Sequence, residues 1–199
     1  MSNYAIIQNT TVELRRRIHE ALVSIPDADI GFTNPETDIT LTLPNNEGAG
    51  AARLSVYLYH IEPDGHLRNQ HALPVGDAGL RFPPIPILLR YLITPLGEDE
   101  GQNHLMLGGI LQHFHDRPFI QTVANQPLDD SFGGNSGEMR ITFEPLTMEQ
   151  ISQIWGALNT DYRLSIAYTV RIVTIDSAQG LAKANRVREM QTGFGYKGS

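Results

Sequence analysis

The sequence predicts a single α+β domain, in which about three helices pack against a mixed, largely antiparallel sheet and a C-terminal arm follows. In some segments apolar residues alternate with their neighbours, which is typical of strands, and in others they recur every three or four positions, which is typical of amphipathic helices. These segments are interspersed without regular βαβ alternation, and no repeat divides the chain. We therefore expect one domain over residues 1–177 and an arm over residues 178–199.

Composition narrows the classes of function. A hydrophobic content of 41% and a charged content of 19% are ordinary for a globular protein. The net charge of −7 argues against nucleic acid as a partner, because proteins that bind nucleic acid normally have a basic surface. Without cysteine there is no disulfide framework, zinc–thiolate site or cysteine nucleophile. Neither a signal peptide nor a membrane-spanning apolar run is evident, so we expect a cytoplasmic protein that is not inserted in a membrane.

The arm differs in charge from the rest of the chain. It carries Lys183, Arg186, Arg188 and Lys197 against the single acidic residue Glu189. A basic arm on an acidic body is suited to an acidic neighbour, including another copy of the chain. The alternative is a solvated, frayed terminus.

The first predicted elements are a helix and two short strands. The helix covers residues 2–25 and ends at Pro26, which cannot continue it. Its apolar stripe comprises Tyr4, Ile7, Thr11, Leu14, Ile18 and Leu22. The strands cover residues 29–33 and 38–43, on either side of an Asn-Pro turn.

Two stronger strands follow, separated by a polar segment. Residues 53–61 are apolar on both faces, which places this strand inside the sheet. Residues 62–77 are predicted to form a loop. Residues 85–95 form the next strand, and Pro86 cannot donate to a ladder, so the start of that strand is expected at an edge or unpaired.

A second helix is predicted to begin at the acidic turn Glu98-Asp99-Glu100 and to end near His115. The partial positive charge of a helix N-terminus favours carboxylates there. Consecutive residues at a helix start do not face one another across a substrate, so a paired-carboxylate active site is not expected. The pair Gly108-Gly109 allows close packing of this helix against the sheet.

The strongest metal-binding or acid–base candidates are His113, His115 and Asp116 at the end of this helix. Two histidines that are two residues apart on a helix point away from each other, and the i, i+4 spacing of His-Glu-x-x-His is absent. His66 and His71 have no third ligand nearby at a telling spacing. We therefore predict no catalytic, cofactor-binding or metal site.

Residues 117–136 are predicted to form an irregular loop. A loop of about 20 residues in a compact domain is often functional. Within it, Asn125 and Asn135 are candidate contact residues, and we expect the glycine-rich segment 125–137 to touch a partner.

A short strand and a third helix come next. The strand covers residues 138–144, with Ile141 and Phe143 inward. Thr147 and Gln150 match a capping box at the helix start. The apolar stripe of the helix comprises Ile151, Ile154, Trp155 and Leu158.

The most strongly patterned segment is a long strand, Tyr162–Ser177. One face is predicted to carry Leu164, Ile166, Tyr168, Val170 and Ile172. A strand of this length exceeds the ordinary range. It therefore crosses the whole domain or projects beyond it, and one end is expected to meet something outside the domain.

Three blocks, taken together, resemble a known bacterial family. They are Leu54-Ser-Val-Tyr-Leu-Tyr-His-Ile-Glu-Pro, then Pro83-Pro-Ile-Pro-Ile-Leu-Leu-Arg-Tyr-Leu-Ile-Thr-Pro running on to His115-Asp-Arg-Pro, and Tyr162-Arg-Leu-Ser-Ile-Ala-Tyr-Thr-Val-Arg-Ile-Val-Thr-Ile-Asp-Ser. Their order and spacing are similar to those of the tail-terminator, or cap, proteins of phage-tail-like contractile injection systems. The resemblance covers nearly the whole chain up to Ser177. Larger members carry additional C-terminal sequence, so functions of such extensions are not carried over.

The resemblance implies a structural role without enzymatic activity or a cofactor. Copies of the chain, expected to form a hexamer, would make a ring on the distal end of the inner tube and the sheath. The ring would stop polymerisation and tie sheath to tube, with assembly in the bacterial cytoplasm and a final place in an injection particle. A heterologous surface that closes into a ring leaves no free end for growth in its own plane.

Two alternatives stay open at this stage. One is a baseplate or adaptor component of the same machine. The other is a small metal-dependent hydrolase that uses His113, His115 and Asp116. For the cap, we expect the arm to dock on a neighbouring subunit or on the sheath, and the segment 125–137 to contact the end of the tube.

Overall fold

The computed structural model describes residues 4–25, 31–45, 50–65, 73–75, 79–128 and 138–175. It confirms the α+β class. The described helices are α1 (Ile6–Val23), α2 (Pro35–Asp38), α3 (Glu100–Asp116) and α4 (Met148–Leu158). None of these helices combines the length and the apolar character needed to cross a bilayer.

The described strands form one large sheet and two small ones. They are β1 (Ile39–Thr40), β2 (Leu54–Pro63), β3 (Leu73–Val75), β4 (Gly79–Arg81), β5 (Ile85–Pro95), β6 (Phe119–Ile120), β7 (Thr122–Val123), β8 (Gln126–Pro127), β9 (Met139–Glu144) and β10 (Ile166–Ile175). The large sheet has six strands in the order β1-β2-β5-β10-β9-β6. Its β1–β2 pair is parallel and its other described pairs are antiparallel, as the sequence predicts for a mixed sheet. The small sheets pair β3 with β4 and β7 with β8.

The core lies between one face of this sheet and the helices α1 and α3. Strand β5 is central, with β2 on one side and β10 on the other. The core contains Leu14 and Ile18 of α1, Met106 and Ile110 of α3, and Leu89, Tyr91 and Ile93 of β5. The predicted stripe of α1 is buried from Thr11 onward, but Tyr4 is wrong: it precedes the helix and is 88% exposed.

Strand β10 is shorter than predicted, because residues 162–165 do not pair. Its register against β5 shifts between Val170 and Val173. A β-bulge of this kind inserts one residue and reverses the alternation beyond it. Val170 and Val173 are both fully buried in the same core, so the predicted alternation is interrupted after Val170.

The predicted strand pair around the Asn-Pro turn is mostly wrong. Residues 31–33 form no strand and β1 has two residues, while residues 29 and 30 lie outside the described part of the chain. Asn34 instead caps α2, accepting a hydrogen bond of 2.9 Å from the backbone N–H of Glu36. Proline at the first position of a helix is pre-organised for it, which explains why this dipeptide starts a helical turn.

Two predicted loops contain strands. Strand β2 continues to Pro63, and β3 falls inside the segment 62–77. Strands β6, β7 and β8 fall inside the segment 117–136. The turn between β7 and β8 has Ala124 and Asn125 at φ of 50° and 59°. Two consecutive left-handed residues match the twist of a hairpin, and asparagine tolerates this conformation.

The expectations for Pro86 and Phe143 hold in part. Pro86 lies opposite Thr174 of β10. Its carbonyl points to the other side of β5, where it accepts a hydrogen bond of 2.9 Å from the backbone N–H of Asp64, just beyond the end of β2. The side of Pro86 that lacks an N–H therefore faces the end of the ladder between β2 and β5.

Ile141 is buried, whereas Phe143 lies at the margin of the core against Tyr168 (ring centroids 5.7 Å apart) and is 48% exposed.

Gly109 serves a different contact from the one expected. A Cβ built there would lie 2.5 Å from Cδ1 of Ile25, just beyond α1. The absence of a side chain thus permits the close approach of α3 to the end of α1 rather than to the sheet.

Candidate assembly surface

Helix α4 is well defined at both ends. The predicted capping box is confirmed: Thr147 Oγ1 accepts from Gln150 N at 3.3 Å, and Gln150 Oε1 accepts from Thr147 N at 2.9 Å. The helix ends at Asn159, which has a left-handed backbone with φ of 50°. Both ends are therefore fixed by local sequence.

The same helix is incompletely covered. Of its residues, all of which the structure describes, Trp155 alone is buried. Ile151, Ile154 and Leu158 are half-buried, and Met148 is 74% exposed. An apolar helix face that the described chain leaves partly bare is a candidate for contact with another molecule.

A groove of about 580 Å³ runs along this face. Its apolar lining includes Met148, Ile151, Trp155 and Tyr162. The Tyr162 ring meets the Trp155 ring edge-on, with centroids 5.7 Å apart, and is itself 55% exposed. Tyr162, the first residue of the predicted long strand, thus lines the groove.

Trp155 Nε1 is buried and has no hydrogen-bond acceptor among the described residues. The indole nitrogen is only a donor, and Trp155 is 4% exposed. A buried donor without an acceptor costs about 1–3 kcal/mol. This donor belongs to a residue that lines the groove, but the nitrogen itself is closed to solvent.

A charged network crosses the opposite face of the sheet, away from α1 and α3. Arg90 of β5 pairs with Glu62 of β2 (Nη2–Oε1, 2.6 Å) and with Glu144 of β9. Thr169 of β10 donates to Glu144 Oε2 at 2.6 Å. The hydrogen bond from Arg90 lowers the pKa of Glu62 below its ordinary value. Four neighbouring strands are joined by these side chains, which fits a structural role.

The histidine-rich end of α3 does not assemble into a site. His113 is half-buried, while His115 and Asp116 are exposed. Burial, and then the nearby Arg117 and Arg17, lower the pKa of His113, which keeps its imidazole neutral at pH 7. In the part of the chain that the structure describes, no group of three or more His, Asp or Glu side chains could hold a metal ion.

The candidate contact residues are only partly placed. Asn125 lies in the β7–β8 turn and is exposed. The remaining candidates lie outside the described residues: Asn135, Lys183, Arg186, Arg188 and Lys197. His66 and His71 also lie outside them.

Sequence reasoning missed the groove. It identified the apolar stripe of α4, which includes Trp155, but not the groove that the stripe lines. The signal was available, because Met148, the first residue of α4, and Tyr162, which follows the helix, add apolar side chains to the stripe.

A family model described as the Pvc16 N-terminal domain matches residues 9–189. The chain belongs to this family. The match covers every described element except the first residues of α1, and it confirms the resemblance found in the sequence blocks.

Solved structures share the fold of this Pvc16 N-terminal domain chain. A sheath/tube terminator of the extracellular contractile injection system PVC, in its extended state, superposes with a TM-score of 0.57 at 18% identity, covering 100% of this chain and 67% of that one. A tube-terminating cap of the anti-feeding prophage superposes with a TM-score of 0.56 at 19% identity, covering 92% of this chain and 61% of that one. The chain thus spans about two thirds of the length of these proteins. No curated protein sequence matches it significantly.

Proposed function

We propose that this chain is a tail terminator, or cap, of a contractile injection system. Copies of it form a ring on the distal end of the inner tube and sheath, end polymerisation, and couple the sheath to the tube. The observation that carries the proposal is the Pvc16 N-terminal domain, which matches residues 9–189. The shared fold with a sheath/tube terminator and a tube-terminating cap supports it.

The ring is built from heterologous contacts between copies and is a hexamer. A heterologous interface uses two different patches on each copy and closes when the rotation between copies is right. The partly bare face of α4 supports such a patch, because it offers apolar surface outside the core. The role is structural and non-enzymatic, with sheath and inner-tube proteins as the other partners.

The arm and the loop supply further contacts. The domain spans residues 1–177 and the arm spans residues 178–199. Lys183, Arg186, Arg188 and Lys197 of the arm contact a neighbouring copy or the sheath. Asn125 and Asn135 belong to the segment that touches the tube end. Assembly takes place in the bacterial cytoplasm, and the chain then stays in the injection particle.

Deletion of the gene tests the function. Electron micrographs of particles from deleted and complemented cells are compared for sheath length and tube length. We expect sheaths that are missing, unstable or of uncontrolled length without the chain, and uniform particles after complementation. Intact, capped particles of uniform length in the deleted cells would refute the terminator role.

A further inference from the structure

We propose that the groove beside α4 receives the C-terminal arm, residues 178–199, of a second copy of the chain. This inference deepens the proposed ring and rests on it for its biological setting. It identifies both sides of one contact between subunits: an apolar groove on one copy and a basic arm on the next.

The groove and the arm are chemically complementary. Met148 and Tyr162 expose apolar surface at the groove, and the described lining contains the acidic Asp161 and no basic residue. Glu149 adds a second carboxylate on the first turn of α4. The arm offers both matching kinds of side chain, apolar Leu181, Val187, Met190 and Phe194 among basic Lys183, Arg186 and Arg188. Its positive charge opposes the negative charge of the groove.

Trp155, which lines the groove, contains a buried donor. Its Nε1 has no acceptor among the described residues and is closed to solvent. A peptide segment brings a carbonyl at every residue. An arm reaches this nitrogen only when the side chains that line the groove move, and it then supplies the acceptor that the described chain does not provide.

The groove and the start of the arm lie at opposite ends of β10. The groove lies just before β10, at Tyr162, whereas the arm follows the other end of β10, beyond Ile175. A strand of 10 residues separates these points by about 30 Å. An extended arm of residues 178–199 reaches roughly 70 Å, so it can span this distance within one copy as well as between copies. The proposed ring favours the contact between copies, because an arm at one end and a groove at the other make the heterologous kind of contact that closes into rings.

Two full-length variants with complementary defects test this contact. The arm variant carries Lys183→Glu, Arg186→Glu and Arg188→Glu, and keeps the groove. The groove variant carries Met148→Ser and Tyr162→Ser, and keeps the arm. Both groove positions are exposed, at 74% and 55%, so the core is untouched. Leu105→Ser, at a 53% exposed position on α3, is the matched control.

Sedimentation velocity gives the first readout. We expect the wild type and the control to self-associate and each variant alone to remain monomeric. An equal mixture of the two variants forms a species of two chains, because one intact arm and one intact groove remain. Association of either variant like the wild type overturns the proposal. If the mixture stays monomeric while the wild type associates, the arm does not bind the groove of another copy. That result also overturns the proposal.

A second readout does not require ring formation. A synthetic peptide of residues 178–199 is titrated into the full-length arm variant, and the emission of Trp155, the single tryptophan, is recorded. We expect a saturable change that weakens as salt rises, and at least about tenfold weaker binding to a chain that also carries the groove substitutions. If the emission of Trp155 does not change when the peptide is added, the proposal is wrong. If the peptide binds but deletion of the gene leaves particles intact, the proposed function fails and the arm contact stands.

Discussion

At the scale of single residues, a buried hydroxyl pair ties α1 to the central strand. Tyr91 of β5 is fully buried, and its hydroxyl lies 2.8 Å from Thr11 Oγ1. Thr11 Oγ1 donates to the carbonyl of Ile7 at 2.8 Å, which uses its one proton. The Tyr91 hydroxyl is therefore the donor between the two side chains, and burial raises its pKa.

This direction of donation predicts an asymmetry between two substitutions. Tyr91→Phe removes the donor and leaves Thr11 bonded to Ile7, so it should lower the free energy of unfolding by about 0.5–1.5 kcal/mol. Thr11→Val leaves the Tyr91 hydroxyl buried without a partner and should cost about 1–3 kcal/mol. Urea denaturation of both variants measures the difference. An equal or smaller cost for Thr11→Val would contradict the assignment.

Features of single residues also account for the parts of the fold that the sequence did not predict. The alternation in residues 162–177 predicted a strand where β10 lies, and the spacing of Thr147 and Gln150 predicted the capping box that begins α4. The bulge between Val170 and Val173 was not predictable, because a two-residue period carries no mark of one inserted residue. The helical turn after Asn34 was missed because Asn-Pro serves equally as a turn and as a helix start.

At the scale of elements, the charged network links the side chains of strands that are already hydrogen-bonded to one another in the six-stranded sheet. Arg90 lies between two carboxylates, one on β2 and one on β9. Because Glu62 has a lowered pKa when folded, its ionised form stabilises the fold above the unfolded pKa, and this contribution is lost as the pH falls through the lower folded value. Partial exposure limits its size to about 1 kcal/mol.

Glu62→Gln should therefore reduce stability at pH 7 and lose its effect in acid. Denaturation of both chains is measured from pH 7 downward, with Glu98→Gln, at an exposed position in the turn before α3, as a control for removal of one acidic charge. The two curves for wild type and Glu62→Gln are expected to begin to converge near pH 4.5, the ordinary value for glutamate, and to meet only below the lower pKa of folded Glu62. A difference that persists unchanged in acid would show that the ion pair does not cause it.

The start of α4 supports the groove, since Met148 is its first residue. Thr147→Ala removes the side-chain acceptor of the capping box and should destabilise the helix by about 1 kcal/mol. Amide hydrogen exchange should become faster in the first turn of α4 and stay unchanged in β5. Ser152→Ala, at an exposed position of the same helix, is the control. Equal exchange in both variants would mean that tertiary contacts, and not the cap, hold the helix.

At the scale of the whole molecule, the sequence was more informative about the fold than about the surface. Periodic apolar segments such as β5 are dictated by burial in this chain's own core, so they are readable from one sequence. The face of α4 looks the same in sequence whether it meets its own core or another molecule. The charge of the basic arm predicts a partner, and the exposed groove beside α4 is the surface to which we assign it on a second copy.

The central claim is that a ring of these chains closes the distal end of the tube and sheath. Single-particle cryo-electron microscopy of intact particles tests it most directly, because it shows where the chain lies and how many copies are present. We predict a hexameric ring at the end opposite the baseplate, with the sheet of each copy fitting the density and the arm of one copy in the groove of the next. Finding the fold in the baseplate, or an end plate built of another fold, would contradict the claim.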